Sequence, residues 1–329
     1  MPHKSAARLE AERLCREFPD TPSRTLARRL ANEFQVTLER ARSLVRVTRG
    51  NNGNGHLKDA TAKRKNGKAG MKPQMPPSLA EPWSQFELKA RRIAILSDIH
   101  VPYHDVKALA AAVNWCKEKS PDAVLLNGDI GDFYSVSRYQ KNPKKRQFSK
   151  EIELLRELLI WLRSEFPKQR IVYKLGNHDE RWDHWLWNHA PEISDLPQLR
   201  LDAMLDMEKL GIEMVGDQRP IMCGHLPVFH GHELPRGISS PVNPARGVYT
   251  KMAETGLVGH HHRTSSHAES SWKKDEVFCW STGCLCDLTP EFSRVNKWNH
   301  GFAIVDVAND KSFDVLNPRI TADGTVRTS

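Results

Sequence analysis

Five short apolar segments of this chain each end on residues able to hold a metal ion, and that repeated ending limits the fold more than any other feature of the sequence. RIAILSDIH closes on Asp98 and His100, DAVLLNGDIGD on Asp129 and Asp132, and IVYKLGNHDER on Asn177, His178 and Asp179. LPVFHGH closes on His230 and His232, and GLVGHHH on His260, His261 and His262. A single D-x-H or G-N-H-D means little, whereas five such endings in order, each behind an apolar run, point to strands whose carboxyl ends share one metal-binding pocket. Between the first three runs lie DVKALAAAVNWCKEK and KEIELLRELLIWLRSEF, both with helical apolar spacing. Strand alternating with helix reads as a mostly parallel sheet with helical crossovers. Beyond residue 212 the helical pattern fades, and MVGDQRPIMCG, LPVFHG, GLVGHH, EVFCWSTG and HGFAIVDV predict a second, largely antiparallel sheet.

Charge divides the 329 residues unevenly. Residues 1–92 hold 20 Lys and Arg against 9 Asp and Glu, while the rest holds 29 against 31. A basic head on a near-neutral body suggests a segment held near polyanions, nucleic acid first. In that head, residues 5–18, 25–34 and 38–49 show helical apolar spacing, with the short QVT turn between the last two. The arrangement resembles a helix-turn-helix whose second helix presents Arg40, Arg42, Arg46 and Arg49 to DNA. Residues 51–80 are rich in Gly, Asn, Lys and Pro, so the expected organisation is a helical segment over 1–50, a flexible basic linker over 51–80 and a catalytic domain over 81–329. There is no apolar run of about 18 residues and no apolar leader, which predicts a cytoplasmic protein with no membrane partner. The six cysteines lack C-x-x-C spacing and read as free thiols.

The order D-x-H, G-D-x-x-D, G-N-H-D, H-G-H, G-H-x-H, from about Arg91 to about Asp306, resembles the calcineurin-like metallophosphoesterase superfamily. The resemblance implies a four-layer α/β/β/α sandwich with a dinuclear centre at the strand ends. It further implies that Asp98, His100 and His262 hold one metal, that Asn177, His230 and His260 hold the other, and that Asp129 bridges them. His178 matches the superfamily histidine that protonates the leaving oxygen or stabilises the transition state, and Asp132 resembles the residue that pairs with it and orients it, the alternative being a cap on the following helix or turn. The chemistry of these residue types agrees. A shared carboxylate with neutral imidazoles and an amide oxygen leaves residual positive charge on two divalent ions, which polarises a phosphoryl group and generates a bridging hydroxide for in-line attack. The mixed N and O donors suit Mn2+, with Fe2+ and Zn2+ as alternatives. His261, between two ligands, is expected to point away and to pack or be solvated.

Arg181 and Arg138 are candidates to clamp substrate phosphate, and His104 to reach substrate, although each also reads as an ordinary surface residue. His232 is expected to hydrogen-bond within the pocket, and Trp182, Trp185 and Trp187 to pack a helix. Protein phosphatases of this superfamily carry G-D-x-x-D-R-G and G-N-H-E, whereas this chain has GDIGDFY and GNHDER. With its basic head it looks most like members carried by bacteriophages and other mobile elements. The expected activity is a phosphodiesterase or nuclease acting on nucleic acid. The alternatives are a phosphomonoesterase for small or protein phosphates, and a DNA-binding module whose metal site is structural.

Overall fold

The computed structural model describes residues 5–50 and 75–328, apart from 140, 141, 143, 145, 146, 236–241, 271, 274 and 275. Residues 51–74, most of the expected linker, lie outside the described residues. The chain divides into two compact units, Met1–Glu81 and Pro82–Ser329.

In the first unit, α1 (Ala6–Glu17), α2 (Ser23–Phe34) and α3 (Leu38–Thr48) close around Ala11, Leu14, Leu26, Ala27, Leu30, Ala41 and Val45. The spacing of these residues puts one apolar stripe on each helix, and burying the stripes together is what stabilises helices this short. Gln35, with φ 49°, ends α2 in the left-handed region, and the Thr37 hydroxyl accepts the Arg40 N–H to start α3. The opposite face of α3 leaves Glu39, Arg40, Ser43, Arg46 and Val47 exposed. Arg49 departs from expectation. It is buried, and its guanidinium donates to the Ser23 hydroxyl and to the carbonyls of Phe18, Pro19 and Thr21. Its two Nη groups tie the α1–α2 connection to the end of α3, so it is a structural residue and does not face a partner.

In the second unit, β2 (Arg92–Leu96), β3 (Ala123–Asn127), β4 (Arg170–Lys174) and β5 (Ile212–Val215) pair in parallel. α4 (Val106–Glu118) and α5 (Phe148–Glu165) form the first two crossovers, and β12 (Ala303–Val307) and β13 (Phe313–Leu316) complete a six-stranded sheet in the order β13-β12-β2-β3-β4-β5. The second sheet runs β1-β6-β7-β8-β10-β9, from β1 (Phe86–Glu87), β6 (Ile221–Cys223), β7 (Leu226–Phe229), β8 (Gly256–Val258), β9 (Ser265–Ser270) and β10 (Glu276–Ser281). β11 (His300–Gly301), β14 (Arg319–Ile320) and β15 (Val326–Arg327) make a small third sheet.

Alternation along the strands builds the layers. Ile93, Ile95, Leu125 and Val172 face the second sheet's Ile221, Val228 and Leu257, whereas Ala94, Leu96, Val124, Leu126 and Ile171 face α4 and α5. A further helix, Pro244–Met252, covers the second sheet through Ala245 and Val248 against Val258 and Cys279. The result is the expected α/β/β/α sandwich.

Two expectations for the second half are corrected. The second sheet is mixed: β1–β6, β7–β8 and β8–β10 are parallel, and β6–β7 and β9–β10 antiparallel. The Pro244–Met252 helix lies between β7 and β8 in the chain and supplies the crossover that parallel pairing requires. It is too short for its periodicity to stand out in the sequence. In addition, Ile212–Val215 and Ala303–Val307 join the first sheet, the latter antiparallel to β2, with Arg92 Nε 2.5 Å from Asp306 Oδ1. Among the described residues no helix is long and apolar enough to cross a membrane.

Glu151, in the first turn of α5, is 6% exposed and accepts the Tyr134 N–H at 2.7 Å, fixing the short turn that follows Asp132. Burial, with the nearby Asp132 charge, pushes its carboxyl up to about 7. The folded protein therefore holds a proton there that the unfolded chain releases above its ordinary value of 4.5. That contribution to stability is complete below this value and is lost as pH rises to about 7. Urea unfolding of Glu151→Gln should show a flatter pH dependence across this window, by up to about 3 kcal/mol, and an unchanged slope would contradict the assignment.

Candidate metal centre and active site

The loops that leave β2, β3 and β8 hold five polar residues in the left-handed backbone region: Asp98 (φ 55°), His100 (53°), Asp129 (54°), His260 (62°) and His262 (54°). Each such residue costs about 1 kcal/mol, and reciprocal hydrogen bonds between the loops hold them in place. Asp98 N–H donates to the Gly128 carbonyl (3.1 Å), His100 N–H to the Asp129 carbonyl (3.0 Å) and Gly259 N–H to the His230 carbonyl (2.9 Å). His260 N–H donates to the Asp98 carboxylate at 3.0 Å, and His178 N–H to Asp129 Oδ1 at 2.8 Å. Glycine is required where loops cross most closely: a methyl group at Gly176 would overlap the Asp129 carboxylate.

These loops bring together the residues singled out from the sequence. Asp98, His100 and Asp129 form one group with donor atoms within 4.8 Å of one another, and Asp129, His230 and His260 form another, so Asp129 is common to both. His262 joins the first group, with Nε2 3.2 Å from both Asp98 Oδ1 and His100 Nε2. The outer nitrogens are already engaged: His100 Nδ1 is 3.1 Å from Asp132 Oδ1, and His230 Nδ1 is 2.8 Å from the Asn127 carbonyl. In each ring the outward contact of Nδ1 leaves Nε2 as the inward nitrogen, the orientation a metal ligand needs. His230 Nε2 and Asn177 Oδ1 are buried and have no hydrogen-bond partner among the described residues. Buried polar atoms are rarely left this way. With the convergent carboxylates and imidazoles they form a donor set that fits divalent cations.

Charge is concentrated and deeply buried: Asp98, Asp129 and Asp132 are 0%, 1% and 6% exposed. Burial opposes their ionisation, but the surrounding imidazoles outweigh it and hold all three well below the usual carboxylate range. Burial likewise opposes charge on His230, yet Asp129 raises it to about 10, whereas burial and the His230 charge drive His260 down to about 3.

Asp132 serves two histidines. Its Oδ1 accepts from His100 Nδ1 and, at 3.0 Å, from His178 Nδ1. Burial disfavours charge on His178, but Asp129 and Asp132 together hold its pKa above the ordinary value. Arg181 Nη2 lies 2.8 Å from His178 Nε2, and Nη1 donates to the Asp132 carbonyl at 2.8 Å. His178 Nε2 also lies 3.8 Å from Asp129 Oδ2.

A cleft of about 1000 Å³ opens beside the centre, lined by Asn177 and His260 together with Arg138, Tyr139, Arg181 and Trp185. His232 also lines it, bonded to Glu180 at 3.2 Å. His104 is not among the described residues lining this cleft. Its backbone bridges to Cys286, and burial lowers its pKa. His261 makes no described hydrogen bond to the ligand set, and its ring packs on His260 with centroids 5.3 Å apart. Trp182 is buried, Trp185 half-buried and Trp187 60% exposed, so the three divide between core and surface.

Three contributions to the site escaped the sequence reading. Asp179 Oδ2 accepts the N–H groups of Asp129 (2.7 Å) and Gly176 (2.9 Å), while Oδ1 accepts from Gly131 (3.1 Å) and the Tyr173 hydroxyl (2.7 Å). It fastens the GDIGD loop to the GNHD loop. Lys174 and Glu233 form a buried pair at 3.1 Å, and Glu233 accepts the backbone N–H of His230 and Gly231. A lysine within the apolar strand IVYKL was the available signal, because a buried ammonium needs a partner. Cys286 Sγ faces His262 Nδ1 at 3.9 Å, and the C-x-C of Cys284 and Cys286 was the available signal.

The fold and this cluster define a class, and the comparison with known families agrees: residues 91–279 match the calcineurin-like phosphoesterase model. The chain belongs to that family and is a metal-dependent phosphoester hydrolase. It is 25% identical over 256 residues to the Gene 54 protein of Mycobacterium phage L5, covering 72% of this chain and 98% of that protein. Identity to the Gene 54 protein of Mycobacterium phage D29 is 28%, with the same coverage. Among solved structures it is similar to Vacuolar Protein Sorting 29 from Cryptosporidium parvum (TM-score 0.41, 11% identity, 73% of this chain and 96% of that one). It is also similar to the phosphoesterase YfcE of E. coli (0.35, 15%, 71% and 96%) and to the nuclease MPE of Pseudomonas putida (0.30, 13%, 65% and 84%).

Asp179→Asn tests how the site is held. The amide keeps one acceptor but turns N–H bonds toward backbone donors, so thermal unfolding should report a loss of about 2–4 kcal/mol together with weaker metal retention. Wild-type stability in this variant would show that the carboxylate does not organise the loops.

Proposed function

We propose that this chain is a dinuclear phosphodiesterase or nuclease acting on nucleic acid. The observation that carries the dinuclear reading is the position of Asp129 within both donor groups. On this reading Asp98, His100 and His262 hold one ion, Asn177, His230 and His260 the other, and Asp129 bridges; Mn2+ suits the donors best, with Fe2+ or Zn2+ as alternatives. Bound there, the ions would supply Lewis acidity that polarises the phosphoryl group and acidifies a water. His178 is the general acid. Asp132 fixes its ring through Nδ1 and leaves Nε2 as the atom that passes a proton to the leaving oxygen. Arg181 and Arg138 line the cleft wall, and on this reading they would meet the non-reacting phosphate oxygens.

The nucleic-acid substrate is supported by the first unit. From Ser23 to Gly50 the chain has seven arginines and two glutamates. Arg40 and Arg46 lie with Ser43 on the exposed face of α3, which starts after a three-residue turn. A short helix with this face fits a DNA groove, and tethering it to the catalytic unit would raise the local concentration of phosphodiester at the metals.

Hydrolysis of mono- and bis(p-nitrophenyl) phosphate and of duplex DNA by the Mn2+-loaded protein tests this reading. Diester and DNA cleavage are expected. Asp129→Asn and His178→Ala should lower turnover by roughly 10²–10⁴, while His261→Ala keeps most of it. Replacing Arg40 and Arg46 by Ala should weaken DNA cleavage and spare the small diester. Monoester turnover alone would replace the proposal with a phosphatase, and a His261→Ala defect equal to that of His262→Ala would overturn the ligand assignment.

A further inference from the structure

The cleft that takes in Asn177 and His260 continues along the helix Arg181–His189. Arg181, His184, Trp185, Asn188 and His189 all line it, at the i, i+3, i+4, i+7, i+8 spacing of a single helix face. At a rise of about 1.5 Å per residue that face extends about 12 Å from the arginine to the last histidine. A stacked strand advances about 3.4 Å per nucleotide, so the wall has room for two or three nucleotides beyond the phosphate at the metal centre.

What sets this wall apart is its aromatic order. Phe148, Trp182, Trp185 and His189 stack in succession, with centroid separations of 4.6, 5.7 and 5.1 Å and interplanar angles of 25°, 9° and 12°. The column is rooted in the core, where Trp182 is buried and its indole N–H donates to the Leu199 carbonyl at 2.6 Å. It passes through half-buried Trp185 and ends on His189, which is exposed and lines the cleft. His189 Nδ1 lies 3.0 Å from the Trp185 carbonyl, which fixes the rotation of the last ring. Core packing accounts for the first three rings. It does not account for the fourth, a fixed and exposed ring at the end of the stack. A flat ring presented in this way is a platform for another, and every nucleobase has such a face whatever the sequence. Arg138 and Arg181, on the same cleft, supply the positive charge that a phosphodiester backbone attracts.

We propose that His189 forms a nucleobase subsite, in which an unpaired base of the bound strand stacks on its ring and extends the aromatic column. In a closed duplex each base is already paired and stacked, so bringing one to His189 requires unstacking it. The preferred substrate is therefore single-stranded or frayed nucleic acid. This inference rests on the nucleic-acid reading above and adds to it the form of the strand. His189 holds the substrate away from the reacting atoms, so its contribution is to affinity.

The test is the cleavage pattern that Mn2+-loaded full-length protein produces on an end-labelled DNA hairpin with a single-stranded tail, so that both forms of strand are present in one molecule. Cuts in the tail should outnumber those in the stem by at least about tenfold. One abasic residue in the tail should lower cutting about tenfold at a phosphate a fixed distance away, roughly one to three nucleotides. His189→Ala should raise KM for the intact hairpin about tenfold with kcat little changed. It should also erase the abasic effect, because base and ring act as one pair and the second deletion costs nothing more. His189→Trp keeps a stacking face and should restore both. Cutting that ignores the abasic residue, an abasic effect that persists in His189→Ala, or equal cutting of stem and tail would each overturn the subsite. Turnover of p-nitrophenyl phosphate with no DNA cleavage would remove the nucleic-acid reading itself, a result distinct from DNA cleavage that is blind to bases.

Discussion

The hydrogen bonds around Asp129 are the constraint on which the rest of the site depends. Its backbone N–H is fixed by Asp179, its Oδ1 accepts the His178 N–H, and its Oδ2 lies 3.3 Å from His230 Nε2 and 3.7 Å from His100 Nε2. One residue on the loop after β3 thus meets the loops after β2 and β4 of the first sheet and after β7 of the second. Because both sheets pack through a common apolar layer, the loops at their ends have a fixed spacing, and the carboxylate of Asp129 takes its position from that spacing. The same residue is shared by two donor groups, which is why architecture and chemistry converge on it.

Such a centre is costly to fold. Three buried carboxylates and five left-handed polar residues work against stability, and they persist because the surroundings over-determine them. The buried Lys174–Glu233 pair shows the same principle at the edge of the site. Lys174 also donates to the Arg219 carbonyl at 2.9 Å, while Lys174 and His230 overcome the burial of Glu233 and draw its carboxyl down to about 2. A charge in strand β4 thereby fixes the loop that carries His230. Inward-facing imidazole nitrogens depend on outward partners in turn, a carboxylate for His100 and a carbonyl for His230.

What was legible in the sequence follows from range of interaction. Apolar alternation and the polar endings of strands are local, so β2, β3, β4 and the clustering of Asp98, His100, Asp129, His230, His260 and His262 could be read directly. Strand order is not local. Nothing in HGFAIVDV says that it pairs with Arg92–Leu96 and not with the second sheet, and the Pro244–Met252 helix carries too few turns to announce a parallel crossover. Side-chain direction was hidden for the same reason. Arg42 and Arg49 look alike in LERARSLVRVTRG, yet only the fold shows that carbonyls of the α1–α2 connection claim Arg49. Asp179 resembled one more ligand, and its backbone partners emerge once GDIGD and GNHD lie side by side.

The central claim, that Asp129 joins two ions in one centre, is tested most directly by metal content and electron paramagnetic resonance of the Mn2+-reconstituted full-length protein. The account predicts two Mn2+ per chain with the multiline spectrum of an exchange-coupled pair. One ion per chain, or two with the spectra of isolated Mn2+, would contradict it.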